Sequence, residues 1–197
     1  LANLGDTYCE KGEFHDSEKN LKESLEIFKG IGSRANECEV LYYLGKKYYY
    51  DNDPDQAINS LNDAIDICKE LNDMNNLSKN YFLLSQSLFM IGKIKESHKA
   101  VNKAMNVCKK IKNNLLNQAI NIFSGYIKLN IDDKFSLAEY DKLNKNLDDK
   151  NSAIFYFLRW KISKSKKDFK EANNIFSKLY KTKASITYQY YINKLKK

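Results

Sequence analysis

The chain has 197 residues, 43% of them hydrophobic and 13% aromatic, which is too apolar for disorder and long enough to bury a substantial core. Seven Gly and one Pro fall well below the usual share of turn formers, so long helices joined by short corners are expected and the class is all-α. The formal charge of +8 is uneven: from Lys150 onward 13 Lys or Arg face only Asp168 and Glu171, a net +11, which leaves −3 for residues 1–149.

Taken in chain order, the first three blocks of 40 residues agree with one another. Leu1-x-x-Leu4-Gly5-x-x-Tyr8 is followed by Leu41-x-x-Leu44-Gly45-x-x-Tyr48 and then by Tyr81-x-x-Leu84-Ser85-x-x-Leu88. Later in each block come Ser17-x-x-x-Leu21-x-x-Ser24-Leu25, Ala57-x-x-x-Leu61-x-x-Ala64-Ile65 and Ser97-x-x-x-Val101-x-x-Ala104-Met105. Apolar residues at i, i+3 and i+7 mark one helix face, so each block predicts two helices, packed as an antiparallel hairpin. Small residues on the second helix let the two approach closely.

Corner signals lie between them. Asp53-Pro54 offers an N-cap carboxylate followed by Pro at the first helical position, and Gly12 and Gly92 occupy the equivalent corner in the neighbouring blocks. Between blocks stand Ile31-Gly32-Ser33, Leu71-Asn72-Asp73 and Ile111-Lys112-Asn113, each an apolar anchor followed by a stop-and-cap pair. After residue 120 the pattern loosens: Phe135-x-x-Ala138 and Phe169-x-x-Ala172 repeat the Phe14-x-x-Ser17 corner, and Lys142 stands where a large apolar residue is expected. The expected organisation is a single array with repeats over 1–32, 33–72, 73–112, 113–148 and 149–182. A capping helix over 184–196 would cover Ile175 and Leu179. Leu1 is already an anchor residue, so the first helix lacks opening turns and a missing N-terminal domain is expected.

The Leu-Gly-x-x-Tyr motif with the later Ala-x-x-x-Leu/Phe resembles the tetratricopeptide repeat, strongly in the first three blocks and more weakly in the fourth. Trp is absent from the first consensus position, and most blocks run to 40 residues rather than 34. Longer repeats of this kind look like those of bacterial cytosolic regulators that sense short signalling peptides, and also like those of cargo and scaffold adaptors. The resemblance implies a right-handed superhelical solenoid of about five antiparallel helix pairs, with a groove walled by the first helix of each pair.

Carried over block by block, the family's groove positions are Asp6, Cys9 and Glu10, then Tyr42, Lys46, Tyr49 and Tyr50. The third block supplies Lys79, Phe82, Gln86, Phe89 and Met90, and the fourth Phe123, Ile127 and Asn130, with Phe157 and Lys161 continuing the wall. Tyr42, Phe82, Phe123 and Phe157 form one row of rings and Tyr49 with Phe89 a second. Such a ladder suits apolar side chains of a peptide, with Gln86, Asn130 and the lysines for its backbone and carboxyl groups; packing between repeats is the competing use of the same rings. Ala2 and Asp6 stand where co-chaperone repeats that grip a C-terminal carboxylate need Lys and Asn.

Cys9, Cys38, Cys68 and Cys108 show no CxxC spacing, and His15 and His98 have no zinc-site partners, so reduced thiols, no metal and no cofactor are expected. No apolar run approaches the roughly 18 residues of a membrane span. Neither a phosphate loop nor a nucleophile with a nearby His is present, which argues against an enzyme. The lysines around Lys164, Lys166, Lys167 and Lys170 suit a solvated face, with nucleic acid or an acidic partner as the other reading. The expectation is a cytoplasmic, non-catalytic, peptide- or protein-binding domain: the sensor part of a transcriptional regulator in quorum sensing, or alternatively a constitutive scaffold or homodimerisation module. DNA would be reached only through the missing N-terminal domain, and no membrane is expected as a partner.

Overall fold

The computed structural model describes residues 1–196, and eleven helices run through them with no strand among the described residues. They divide into two compact units, residues 1–112 and residues from Asn113 onward.

The first unit holds three antiparallel pairs: α1 (Ala2–Lys11) with α2 (Phe14–Gly30), α3 (Arg34–Tyr50) with α4 (Pro54–Glu70), and α5 (Met74–Met90) with α6 (Ile94–Ile111). The corners repeat in the backbone as they do in the letters. Gly12, Asn52 and Gly92 turn each pair at φ of 80°, 64° and 75°, and Gly32, Asn72 and Lys112 join successive helices at 69°, 55° and 53°. Gly and Asn reach this left-handed region readily, whereas Lys112 enters it against the resistance of its Cβ. Helix starts follow the cap chemistry: Asp53 accepts from Gln56 N ahead of Pro54, and Asp73 accepts from Asn76 N.

Small residues bring each pair together. Ser17, Ala57 and Ser97 are fully buried, as are Leu21, Leu61 and Val101 four residues later. The leucines lie directly on glycines of the partner helix: a methyl group on Gly5 would sit 2.6 Å from Leu21 Cγ, and one on Gly45 2.7 Å from Leu61 Cγ. In the third pair Ser85 replaces the glycine and the shorter Val101 replaces the leucine, so an added side chain on one helix is matched by a methylene removed from the other. Leu41 and Leu44 are buried between α2 and α4, while the corresponding Leu1 and Leu4 are about half exposed, with no helix ahead of α1 among the described residues.

The second unit holds α7 (Asn114–Ile131), α8 (Leu137–Asp141), α9 (Asp149–Ser163), α10 (Lys166–Thr182) and α11 (Ile186–Leu195). The fourth pair departs from the expected register. α8 spans only five residues, fixed by a reciprocal capping box between Ser136 and Glu139. Lys142, placed by sequence at the large apolar position, is exposed, and Tyr140 and Leu143 take over: a methyl on Gly125 would meet Leu143 Cδ1 at 2.7 Å and Tyr140 Cδ2 at 2.9 Å. Tyr140 is fully buried and stacks on Phe155 with centroids 4.9 Å apart and planes 7° apart. α11 closes on α10 chiefly through Tyr191, stacked on Phe176 at 4.8 Å; Ile175 and Leu179 stay half-buried. Arg159 ties the unit together, donating to both oxygens of Asp141 and to buried Asp168, which also accepts from Ser163.

Candidate functional site

In the first unit α3 touches both α1 and α5, so the first helices of the three pairs form one continuous layer. This is the layer on which the sequence places its groove residues.

Lys46 sits at its centre. Its Nζ lies 2.8 Å from Asp6 and 2.5 Å from Glu10 on α1, and its side chain is mostly buried. Burial disfavours the ammonium, but hydrogen bonds and attraction from the two carboxylates raise its pKa above the ordinary lysine value. Lys46 is therefore a cationic tie between α1 and α3, already neutralised from within the protein. Asp6 and Glu10 were groove candidates in their own right; that they would meet Lys46 follows from the 40-residue offset between Asp6 and Lys46, a spacing that no local pattern reveals.

The aromatic candidates separate by exposure. Tyr49 and Phe123 are each 7% exposed and present almost no ring surface. Tyr42, Tyr50, Phe82 and Phe89 are half-buried, as are Lys79 and Gln86. Tyr49 and Tyr50 meet edge to face at 5.1 Å, and Tyr42 lies against Tyr43 at 5.9 Å. Lys79 Nζ donates to Asn76 three residues earlier at 3.3 Å, with no carboxylate paired to it in the described structure. Phe123 and Asn130 belong to α7 in the second unit, where Phe123 stacks near Tyr126 and exposed Asn130 donates back to the Tyr126 carbonyl.

A second charged cluster links α2 to α3. Lys47, only 3% exposed, pairs with Glu18 at 2.6 Å and Asp51 at 2.9 Å and covers the Tyr48 ring at 4.4 Å. Burial works to raise Glu18, yet hydrogen bonds from Lys22, Lys47 and Tyr48 hold it down at about 2. These residues fix neighbouring pairs relative to each other; of them the sequence marks only Tyr48, and as a repeat anchor rather than a partner of Glu18. Among the described residues no group of three His, Cys, Asp or Glu could hold a metal, and no helix is long and apolar enough to cross a membrane.

At the basic end, Lys161 lies over Trp160 and Phe157 at 5.0 and 5.5 Å, Lys164 over Trp160 at 5.8 Å, and Lys194 over Tyr190 at 5.3 Å. Burial, then the nearby charges of Lys164 and Lys194, lower the Lys161 pKa. These ammonium groups lie over aromatic faces of the same chain, a use that needs no partner.

Residues 1–70 match the family model described as tetratricopeptide repeat. Nearly identical TPR-like repeats from a Podosopora anserina protein described as a kinesin light chain superimpose with a TM-score of 0.58 at 9% identity, over 99% of this chain and 92% of that one. The fold is tetratricopeptide-like. A single-site variant of the same repeats gives the same score at 10% identity, over 99% and 91%. No curated protein sequence matches the chain. Tetratricopeptide-like pairing accounts for the layer of first helices: each pair contributes one helix to it and turns the other outward.

Proposed function

We propose that the chain is a non-catalytic, tetratricopeptide-like binding domain that takes an extended peptide or protein segment along the layer formed by α1, α3 and α5. The observation that carries this reading is the set of half-buried rings Tyr42, Phe82 and Phe89 on two adjacent first helices, with Lys79 beside them lacking a carboxylate partner in the described structure. Rings held partly in a packed wall lose little freedom on binding and offer apolar surface to a ligand. Because Lys46 is neutralised by Asp6 and Glu10, Lys79 is the cation best placed to take a ligand carboxylate. Tyr49 acts beneath this surface, as a support.

Within this reading the ligand is a short apolar signalling peptide, and the chain is the cytoplasmic sensor part of a bacterial transcriptional regulator. The support for that narrower role is the resemblance of 40-residue repeats to those regulators. A constitutive scaffold for a protein segment is the second reading, favoured by the Lys46 tie, which stiffens α1 against α3 whether or not a ligand is present.

Calorimetric titration with short synthetic Leu- and Phe-containing peptides tests the site. Tyr42→Ala/Phe82→Ala is expected to weaken binding by roughly tenfold or more, as for loss of interface ring anchors. Equal affinity in wild type and variant would remove the wall from consideration.

A further inference from the structure

Outside the wall and its ion pairs, one pair of reactive groups has no role in ligand binding. Cys38 on α3 and Cys68 on α4 face each other across the second helix pair with Sγ atoms 2.7 Å apart, and both are buried, 1% and 0% exposed. Non-bonded heavy atoms usually rest about 3.5 to 4 Å apart, and a disulfide closes at about 2 Å, so these sulfurs already lie nearer to bonding than to ordinary contact. Both are free thiols. Cys38 Sγ also lies 3.4 Å from the Ala64 carbonyl, to which it donates, and Asn80 Nδ2 donates to Cys68 Sγ at 3.6 Å.

We propose that Cys38 and Cys68 are a peroxide-sensitive pair that closes into a reversible disulfide, a covalent staple across the second helix pair. The two thiols are unequal: a hydrogen bond from Cys68 lowers the Cys38 thiol against the effect of burial, and the same contact together with burial raises Cys68. Because either sulfur can donate in that contact, either can be the one that attacks first. The attacking thiolate displaces hydroxide from hydrogen peroxide as the O–O bond breaks, leaving a sulfenic acid, and the hydroxide takes up the proton that thiol gave up to become water; the other thiol then attacks that sulfur, the S–O bond breaks and a second water leaves with its proton. In sum, two thiols and one peroxide give one disulfide and two waters, the sulfurs being oxidised and the peroxide reduced. Burial limits the reaction to moments of local opening, and a dithiol reductant reverses it.

The chain carries its own control. Forty residues later the third pair sets Ser78 and Cys108 at the corresponding places, and Ser78 Oγ donates to the Ala104 carbonyl at 3.1 Å as Cys38 donates to Ala64. The hydroxyl there fits the same space and cannot be oxidised to a bridge, which confines the staple to the helix pair that carries Tyr42 and Lys46.

The test treats the whole folded chain with hydrogen peroxide, then unfolds it, alkylates the remaining thiols and maps the peptides. The expected result is loss of two of the four thiols, a mass lower by about 2 Da, a Cys38–Cys68 linked peptide released by dithiothreitol, and a melting temperature higher by roughly 5 °C. Cys38→Ser, which copies the Ser78–Cys108 arrangement already present in the fold, is expected to lose the linked peptide and the rise in melting temperature together. Four alkylatable thiols after peroxide, a link between other cysteines, or irreversible oxidation with no link would each overturn the proposal.

Discussion

In residues 1–112 the helix pairs close through glycine and short side chains repeated at 40 residues, whereas the unit from Asn113 onward keeps one such glycine, Gly125 against Leu143 and Tyr140, and otherwise packs through stacked rings. Gly45 leaves room for Leu61, and Ser85 is matched by the smaller Val101. In the second unit Tyr140 stacks on Phe155 and Phe176 on Tyr191. A glycine contact works only if the opposing leucine arrives at one place along the helix, so it demands a strict period. A ring reaches further from its backbone and tolerates a shifted register, which is why the fourth pair can end in a five-residue helix and still fill its core. Regular spacing goes with a glycine met by a leucine at a fixed place, and is relaxed where a ring such as Tyr140 reaches the glycine from a shifted position.

A graded set of substitutions breaks or sharpens that contrast. The largest effect is expected for Phe176→Ala, which removes the ring between α10 and α11: about 3 to 5 kcal/mol by urea unfolding, with Phe176→Leu costing less because most of the volume stays. Next, Gly45→Ala drives a methyl group into Leu61 and should cost about 1 to 3 kcal/mol, and Leu61→Val in the same chain should recover part of it by recreating the Ser85/Val101 arrangement. Failure of the second change to help would show that the glycine contact is not what sets the spacing.

Lys47→Met should cost about 1 to 2 kcal/mol at neutral pH, less than for a fully buried pair because Glu18 and Asp51 still reach water. The acid dependence has a definite sign. Glu18 is held at about 2 in the folded chain against an ordinary 4.5, so its contribution is complete above 4.5 and is lost as pH falls through about 2. Thermal melts of the wild type should fall over that window, and Lys47→Met should flatten part of the fall. The smallest effects belong to Ser17→Ala and Tyr140→Phe, whose buried hydroxyls have no hydrogen-bond partner among the described residues; each should be neutral or stabilising by up to about 1 kcal/mol in chemical denaturation. Ala57 already occupies the position equivalent to Ser17.

Much of the fold was legible because its signals are local. Leu41, Leu44 and Tyr48 mark a helix face within eight residues, and Asp53-Pro54 marks a helix start in two. The fourth pair departs from its pattern at Lys142 because a ring at Tyr140 can substitute for a residue two positions on, a fact of side-chain reach that no period expresses. The candidate wall was legible only as positions. That Lys46 would be taken by Asp6 and Glu10, and that Tyr49 and Phe123 would sink while Tyr42, Phe82 and Phe89 stay half-open, depends on how neighbouring helices rotate against one another. The Cys38–Cys68 contact was hidden for the same reason: thirty residues of chain separate the two, and only the hairpin brings them together.

The first helices of residues 1–112 are proposed as the ligand surface. Photo-cross-linking with a short Leu- and Phe-containing peptide that carries a benzophenone side chain, followed by peptide mapping, tests it most directly. Cross-links are expected on α3 and α5 around Tyr42, Phe82 and Phe89, lost on competition with unlabelled peptide. Competable cross-links confined to α2, α4 and α6, or to the lysine-rich end of the chain, would contradict it.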